Sequence, residues 1–136
     1  MKLDFLDDLT GKGKYPHADP EKLLRLYDFN SYEASQLRKL IDAEIIRKEH
    51  ELDLSKVNFV ECLNCTLVFK LSIQNIGVGL PSEGKSFLCE LTLDGYKKMS
   101  RIIEYFSNDQ KVNGYNWLYD PNEDKVDLLF SPGGTW

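Results

Sequence analysis

Residues 63–74, LNCTLVFKLSIQ, alternate between apolar and polar side chains along their whole length. Every second residue is leucine, isoleucine, phenylalanine or cysteine, and the residues between them are polar except Val68. Successive side chains of a β-strand point to opposite faces, so this period of two predicts a half-buried antiparallel strand. A loop at 77–85, GVGLPSEGK, separates it from a second run of the same period at 86–93, SFLCELTL. The two runs predict neighbouring strands with one buried face.

Two stretches flanking these strands have the period of an amphipathic helix. In the first, Asn30 precedes Glu33 by three residues, which is the spacing of a capping box. Its apolar stripe comprises Ala34, Leu37, Leu40, Ile41 and Ile45. In the second, Asp94 is expected to cap a helix. Its apolar stripe comprises Tyr96, Met99, Ile102, Ile103 and Phe106. Each helix therefore has one face suited to pack on a sheet.

The first part of the chain gives weaker signals. Residues 22–29, KLLRLYDF, favour a short strand, and the alternative is a helix that has Pro20 in its first turn. Glycines and prolines interrupt residues 1–20, which we expect to be a loosely structured N-terminal segment.

The chain ends in a predicted hairpin, with YNWLY (115–119) and KVDLLF (125–130) on either side of the turn DPNED (120–124). Together these elements follow the order β-α-β-β-α-β-β. This order predicts an α+β fold in a single globular domain, residues 1–136. We expect an antiparallel or mixed sheet of about five strands, with two helices packed on one face.

Composition limits the classes of partner. The chain has 22 acidic and 17 basic residues and a net charge of −5, without a dense basic run. Nucleic acids and anionic membranes are therefore disfavoured as partners, and a protein with a basic surface is favoured. No apolar stretch is long enough to span a bilayer. Acidic residues near the N-terminus argue against a secretory signal, so we expect a cytoplasmic protein.

Three cysteines are the strongest candidates for metal or redox chemistry. Cys62 and Cys65 lie three residues apart in ECLNC, and Cys89 lies on the other predicted strand. A structural zinc site needs four ligands, and the two histidines, His17 and His50, lie in distant polar segments. Redox pairs of this spacing usually start a helix, which lowers the thiol pKa, whereas these cysteines are predicted on strands. We expect them to be structural, and the sequence predicts no metal site and no cofactor.

Local motifs for other chemistry are also missing. Asp120, Asn122 and Asp124 have the spacing that opens a calcium-binding loop, but Lys125 stands where glycine is required. The chain has no nucleophile elbow, no HExxH motif and no GxGxxG motif after a strand. We therefore expect a protein that is not an enzyme.

Aromatic residues of the C-terminal hairpin are the main candidates for binding. Tyr115, Trp117 and Tyr119 alternate along one strand and so share a face. Either they pack in the core, or they form an aromatic surface on an uncovered side of the sheet. The neighbouring acidic residues that would steer a partner are Asp120, Glu123 and Asp124.

The sequence thus favours a non-catalytic protein that binds a protein partner through this hairpin. The alternative is a small-molecule-binding protein or an enzyme, with a pocket between the sheet and the 77–85 loop and with His50 or an acid transferring protons. A homodimer that buries the open sheet face is a third possibility.

Overall fold

The computed structural model of the chain has two α-helices and two mixed β-sheets, which confirms the α+β class. It describes residues 1–15, 17, 22–79, 85–108, 114–120 and 126–136. The helices are α1 (Ser31–Leu40) and α2 (Leu93–Phe106). The strands are β1 (Lys2–Leu6), β2 (Leu23–Tyr27), β3 (Leu52–Asp53), β4 (Glu61–Cys62), β5 (Thr66–Leu71), β6 (Gly77–Val78), β7 (Ser86–Leu91), β8 (Asn116–Trp117) and β9 (Asp127–Ser131).

The strands form a five-stranded and a four-stranded sheet, rather than the one sheet that was expected. The five-stranded sheet has the order β4-β1-β2-β9-β8, in which β1 with β4 and β2 with β9 are the parallel pairs. The four-stranded sheet has the order β3-β5-β7-β6, with β5 and β7 parallel and both outer pairs antiparallel. Buried side chains from both sheets and both helices belong to one core cluster.

The two alternating runs pair in parallel, which corrects the expected antiparallel direction of the first strand. Phe69 lies beside Cys89 in this pairing, and both side chains are fully buried. The segment between them is not only a loop, because β6 forms there and takes the antiparallel place beside β7. Alternation also ends sooner than expected: Leu63 and Ile73, at the two ends of the first run, are exposed.

Helix α1 begins as its capping box predicts. The Asn30 side chain accepts a hydrogen bond from the Glu33 amide at 2.9 Å, and the Glu33 carboxylate accepts one from the Asn30 amide at 3.3 Å. The helix continues directly into a π-helical turn, Ile41–Arg47. Of the predicted apolar stripe, Leu40 is partly buried and the other four residues are fully buried.

Helix α2 is capped by Thr92 rather than by Asp94. The Thr92 hydroxyl accepts a hydrogen bond from the Gly95 amide at 3.1 Å, and Asp94 lies in the first turn. The expected cap was wrong because the helix begins at Leu93, two residues earlier than a cap at Asp94 requires. The predicted apolar stripe is confirmed, with Ile102 partly buried and the other four residues buried.

The N-terminal segment contains β1, although residues 1–20 were expected to lack regular structure. β1 lies between β4 and β2, and its Leu3 and Phe5 side chains are buried in the core. Asp4 accepts two hydrogen bonds from Arg25 of β2, at 2.9 and 2.6 Å. The Asp4 carboxylate can be buried because Arg25, directly opposite on β2, pairs with it.

The segments 22–29 and 115–130 follow their predictions where the structure describes them. β2 confirms the strand at 22–29, and the alternative helix start at Pro20 lies outside the described residues. β8 and β9 form the antiparallel hairpin, in which Trp117 lies opposite Leu129. Residues 121–125 of its turn also lie outside the described residues.

Candidate functional site

Of the three aromatic residues on the first strand of the C-terminal hairpin, Tyr115 is exposed, and Trp117 and Tyr119 are half-buried. Tyr115 has 46% of its surface exposed and Trp117 is half-buried, with their rings edge to face and 5.9 Å apart. Neither residue belongs to the core cluster. The core residue of this strand is Leu118, which is 1% exposed. The hairpin is therefore anchored through Leu118, whereas Tyr115 is exposed and Trp117 is partly exposed.

Tyr119 has a different role from its two neighbours. Its hydroxyl accepts a hydrogen bond from the Val78 amide at 3.1 Å and donates a short one to the Val126 carbonyl. Burial raises the pKa of this phenol. A bridge between Val78 and Val126 also links the hairpin to β6 at this point. Tyr119 thus fastens the hairpin to the four-stranded sheet, and its hydroxyl is occupied by backbone.

A groove of about 370 Å³ lies between the hairpin and α2, and we call it the hairpin groove. Its apolar lining includes Leu91, Ile102, Trp117 and Tyr119. Its polar lining includes Asn75, Lys98, Asn116 and Asp120. A mostly apolar surface with a few polar groups, and a volume of this order, is typical of a site that takes a small molecule or a partner's side chain.

Charges around the hairpin groove are balanced in the part that the structure describes. Asp120 is exposed and lines the groove, as does Lys98 of α2. Glu123 and Asp124, the other two acidic residues predicted to steer a partner, lie outside the described residues. The sequence did not single out Lys98, because its approach to the hairpin depends on how α2 packs.

The alternative pocket at residues 77–85 rests on a segment that is partly described. Gly77 and Val78 form β6, and residues 80–84 lie outside the described residues. Gly77 is buried and has a φ of +80°, and a β-carbon there would lie 2.7 Å from the Tyr119 ring. The glycine therefore permits close packing of the hairpin. His50 is exposed, and its Nδ1 lies 3.5 Å from a Glu44 carboxylate oxygen.

The cysteines have the environment of structural residues. Cys65 and Cys89 are buried and Cys62 is partly buried, all as free thiols. Burial raises the pKa of Cys65 and of Cys89 to about 12, and it also raises the pKa of Cys62. Because the thiolate is the reactive form, these thiols are poor nucleophiles at neutral pH. Among the described residues, no three His, Cys, Asp or Glu side chains cluster as metal ligands.

A comparison of the chain with protein-family models and with curated proteins finds no match. Within the described residues, neither helix has the length and apolar character needed to cross a bilayer.

Proposed function

We propose that this is a non-catalytic protein that binds a protein partner through its hairpin face, meaning Tyr115, Trp117 and the hairpin groove. The observation that carries the proposal is a pair of edge-to-face aromatic rings outside the core cluster, in which Tyr115 is exposed and the half-buried Trp117 lines the hairpin groove. Leu118, between Trp117 and Tyr119, is the buried residue of this segment.

Tyrosine and tryptophan suit such a face for a physical reason. They bring a large, rigid contact area and a polar group at a low cost in side-chain entropy, and they dominate the energetics of many protein interfaces. The hairpin groove beside them offers a recess for a side chain of the partner. The net charge of −5 favours a partner with a basic surface, because opposite charges speed encounter.

A small organic ligand is the second candidate, favoured by the volume and mixed lining of the hairpin groove. The two candidates differ in what the groove holds when the protein is purified. Native mass spectrometry of the protein from cells measures a retained ligand or a second copy directly. A retained small molecule would favour this second candidate over a protein partner.

The main test compares partner capture by the wild type with capture by the double variant Tyr115→Ala/Trp117→Ala. Proteins bound to each are quantified at low and high salt, with Tyr105→Ala on α2 as the matched control because Tyr105 is also exposed. We expect the double variant to capture at least about tenfold less of a specific partner than the wild type does. A tenfold change corresponds to the loss of one strong contact. The Tyr105→Ala control should capture the partner as the wild type does, and high salt should weaken the binding of the partner to both proteins. Equal capture by all three proteins would contradict the proposal.

A further inference from the structure

A second groove runs along α1. It lies at the β3 edge of the four-stranded sheet, whereas the hairpin contacts the opposite edge, β6. We call it the α1 groove, and its volume is about 1000 Å³. One wall is a stripe of side chains at four-residue steps, Tyr32, Gln36, Leu40 and Glu44, which continues from α1 into the π-helical turn. The other wall comes from residues 51–59, which include the edge strand β3.

Part of the lining of both walls of this groove is apolar. Leu40, Val57 and Phe59 line it and are only partly buried against the core, and Val68 of β5 joins them. Tyr32 at one end is 68% exposed. Partly exposed apolar side chains gathered in a concave surface gain free energy when a ligand removes them from water.

Acidic side chains outnumber basic ones in the lining of the α1 groove. Glu44, Glu51 and Asp53 line it, against a single base, Lys56. Lys48 pairs with Glu44 at 3.2 Å and Lys70 with Glu51 at 3.8 Å, but neither lysine lines the groove. Such surface ion pairs contribute little to stability and exchange partners readily. Cationic groups of a ligand can therefore replace the two lysines.

We propose that the α1 groove binds a basic segment of a partner protein that also carries apolar side chains. The stripe from Tyr32 to Glu44 is about 18 Å long at the rise of a helix, and an extended chain of about five residues has that length. Apolar side chains of the segment would cover Leu40 and Phe59, and its lysines or arginines would meet the three carboxylates. The α1 groove is thus a second acidic surface, distinct from the hairpin and not revealed by the sequence.

This inference extends the proposed binding role to a different surface and can fail independently of it. Tyr119 fixes the hairpin, and with it the hairpin groove, to β6. The α1 groove is lined by β3. β3 and β6 are the two opposite edges of the four-stranded sheet. Variants of one surface should therefore leave binding at the other unchanged.

The experiment uses fluorescein-labelled synthetic peptides of about eight residues, long enough to cover the stripe. All share the same leucine and phenylalanine positions, and the remaining positions are lysine or arginine, glutamate, or serine. Binding to the full chain is measured by fluorescence anisotropy. We expect the basic peptide to bind at least about tenfold more tightly than the acidic one, with the difference shrinking in high salt. Equal binding of all three peptides, or binding of none, would overturn the proposal.

Two variants locate the binding site. The affinity for the basic peptide should fall at least about fivefold in each of them. The variants are Tyr32→Ala and the triple variant Glu44→Gln/Glu51→Gln/Asp53→Asn. Tyr105→Ala and Glu104→Gln, at exposed positions on α2, are the matched controls and should bind as the wild type does. Circular dichroism and urea unfolding confirm that each variant is folded. A loss that is as large in the controls would contradict the assignment to the α1 groove.

A second copy of the chain is the competing occupant, and sedimentation distinguishes it. We expect Tyr32→Ala to leave the oligomeric state of the wild type unchanged. A wild-type dimer that dissociates in Tyr32→Ala would show that the groove is a self-association surface and would overturn the proposal.

Discussion

At the scale of the residue, Tyr96 shows how a single hydroxyl joins elements that are distant in sequence. It is fully buried on α2, accepts a hydrogen bond from the Lys70 amide at 2.8 Å, and lies within 2.8 Å of the Lys70 and Cys89 carbonyls. Backbone groups of β5 and β7 are thus satisfied by a helix side chain. The sequence predicted that Tyr96 is a core residue, but its polar partners depend on which strands the helix covers.

Tyr96→Phe should therefore lower the free energy of unfolding by about 1–3 kcal/mol, since it leaves a buried amide without this acceptor. Urea unfolding followed by circular dichroism measures the change. Tyr105→Phe is the control, because Tyr105 is exposed and the loss of its hydroxyl should change stability by no more than about 0.5 kcal/mol. Equal unfolding midpoints for the two variants would show that the Tyr96 hydroxyl contributes nothing.

At the scale of the element, Gly77 decides how closely the hairpin approaches β6. Its φ of +80° is unfavourable for a residue with a β-carbon, and the Tyr119 ring occupies the space where that carbon would lie. Gly79, two residues later, has no positive φ, and a β-carbon there would meet no described atom within 4 Å. The two glycines thus offer a matched comparison on the same segment.

We expect Gly77→Ala to destabilise the protein by about 2 kcal/mol, the cost of left-handed backbone plus displacement of Tyr119. Gly79→Ala should change stability by no more than about 0.5 kcal/mol. Chemical denaturation of both variants, followed by circular dichroism, checks this. A Gly77→Ala variant as stable as Gly79→Ala would mean that the hairpin does not pack against β6 as described.

Local signals predicted the elements better than their pairing. The capping box at Asn30 and the apolar stripe of α2 depend on contacts within a few residues, so the sequence contains them. β1 also has such a signal, because Leu3 and Phe5 alternate with charged residues, but the glycines and prolines that follow obscured it. The parallel direction of β5 and β7 has no local signature, since it depends on β6, which lies between them in sequence, pairing with the far edge of β7.

At the scale of the whole molecule, the division into two sheets and the position of the aromatic residues follow from long-range packing. Phe29, Phe106 and Phe130 meet in the core although they come from three distant segments. The sequence identified Tyr115 and Trp117 as candidates but left open whether they are core or surface. The alternation that places them on one face is local, whereas the choice of Leu118 as the buried neighbour depends on the sheet against which the hairpin packs.

The central claim is that Leu118 holds the hairpin in place, whereas Tyr115 and Trp117 lie outside the core cluster and are available for binding. The most direct measurement compares the free energies of unfolding of Trp117→Ala and Leu118→Ala in urea. We expect Leu118→Ala to cost about 2–5 kcal/mol, as for a buried leucine, and Trp117→Ala to cost about 1 kcal/mol or less. If Trp117→Ala is as destabilising as Leu118→Ala, then Trp117 is a core residue and the proposed binding face is wrong.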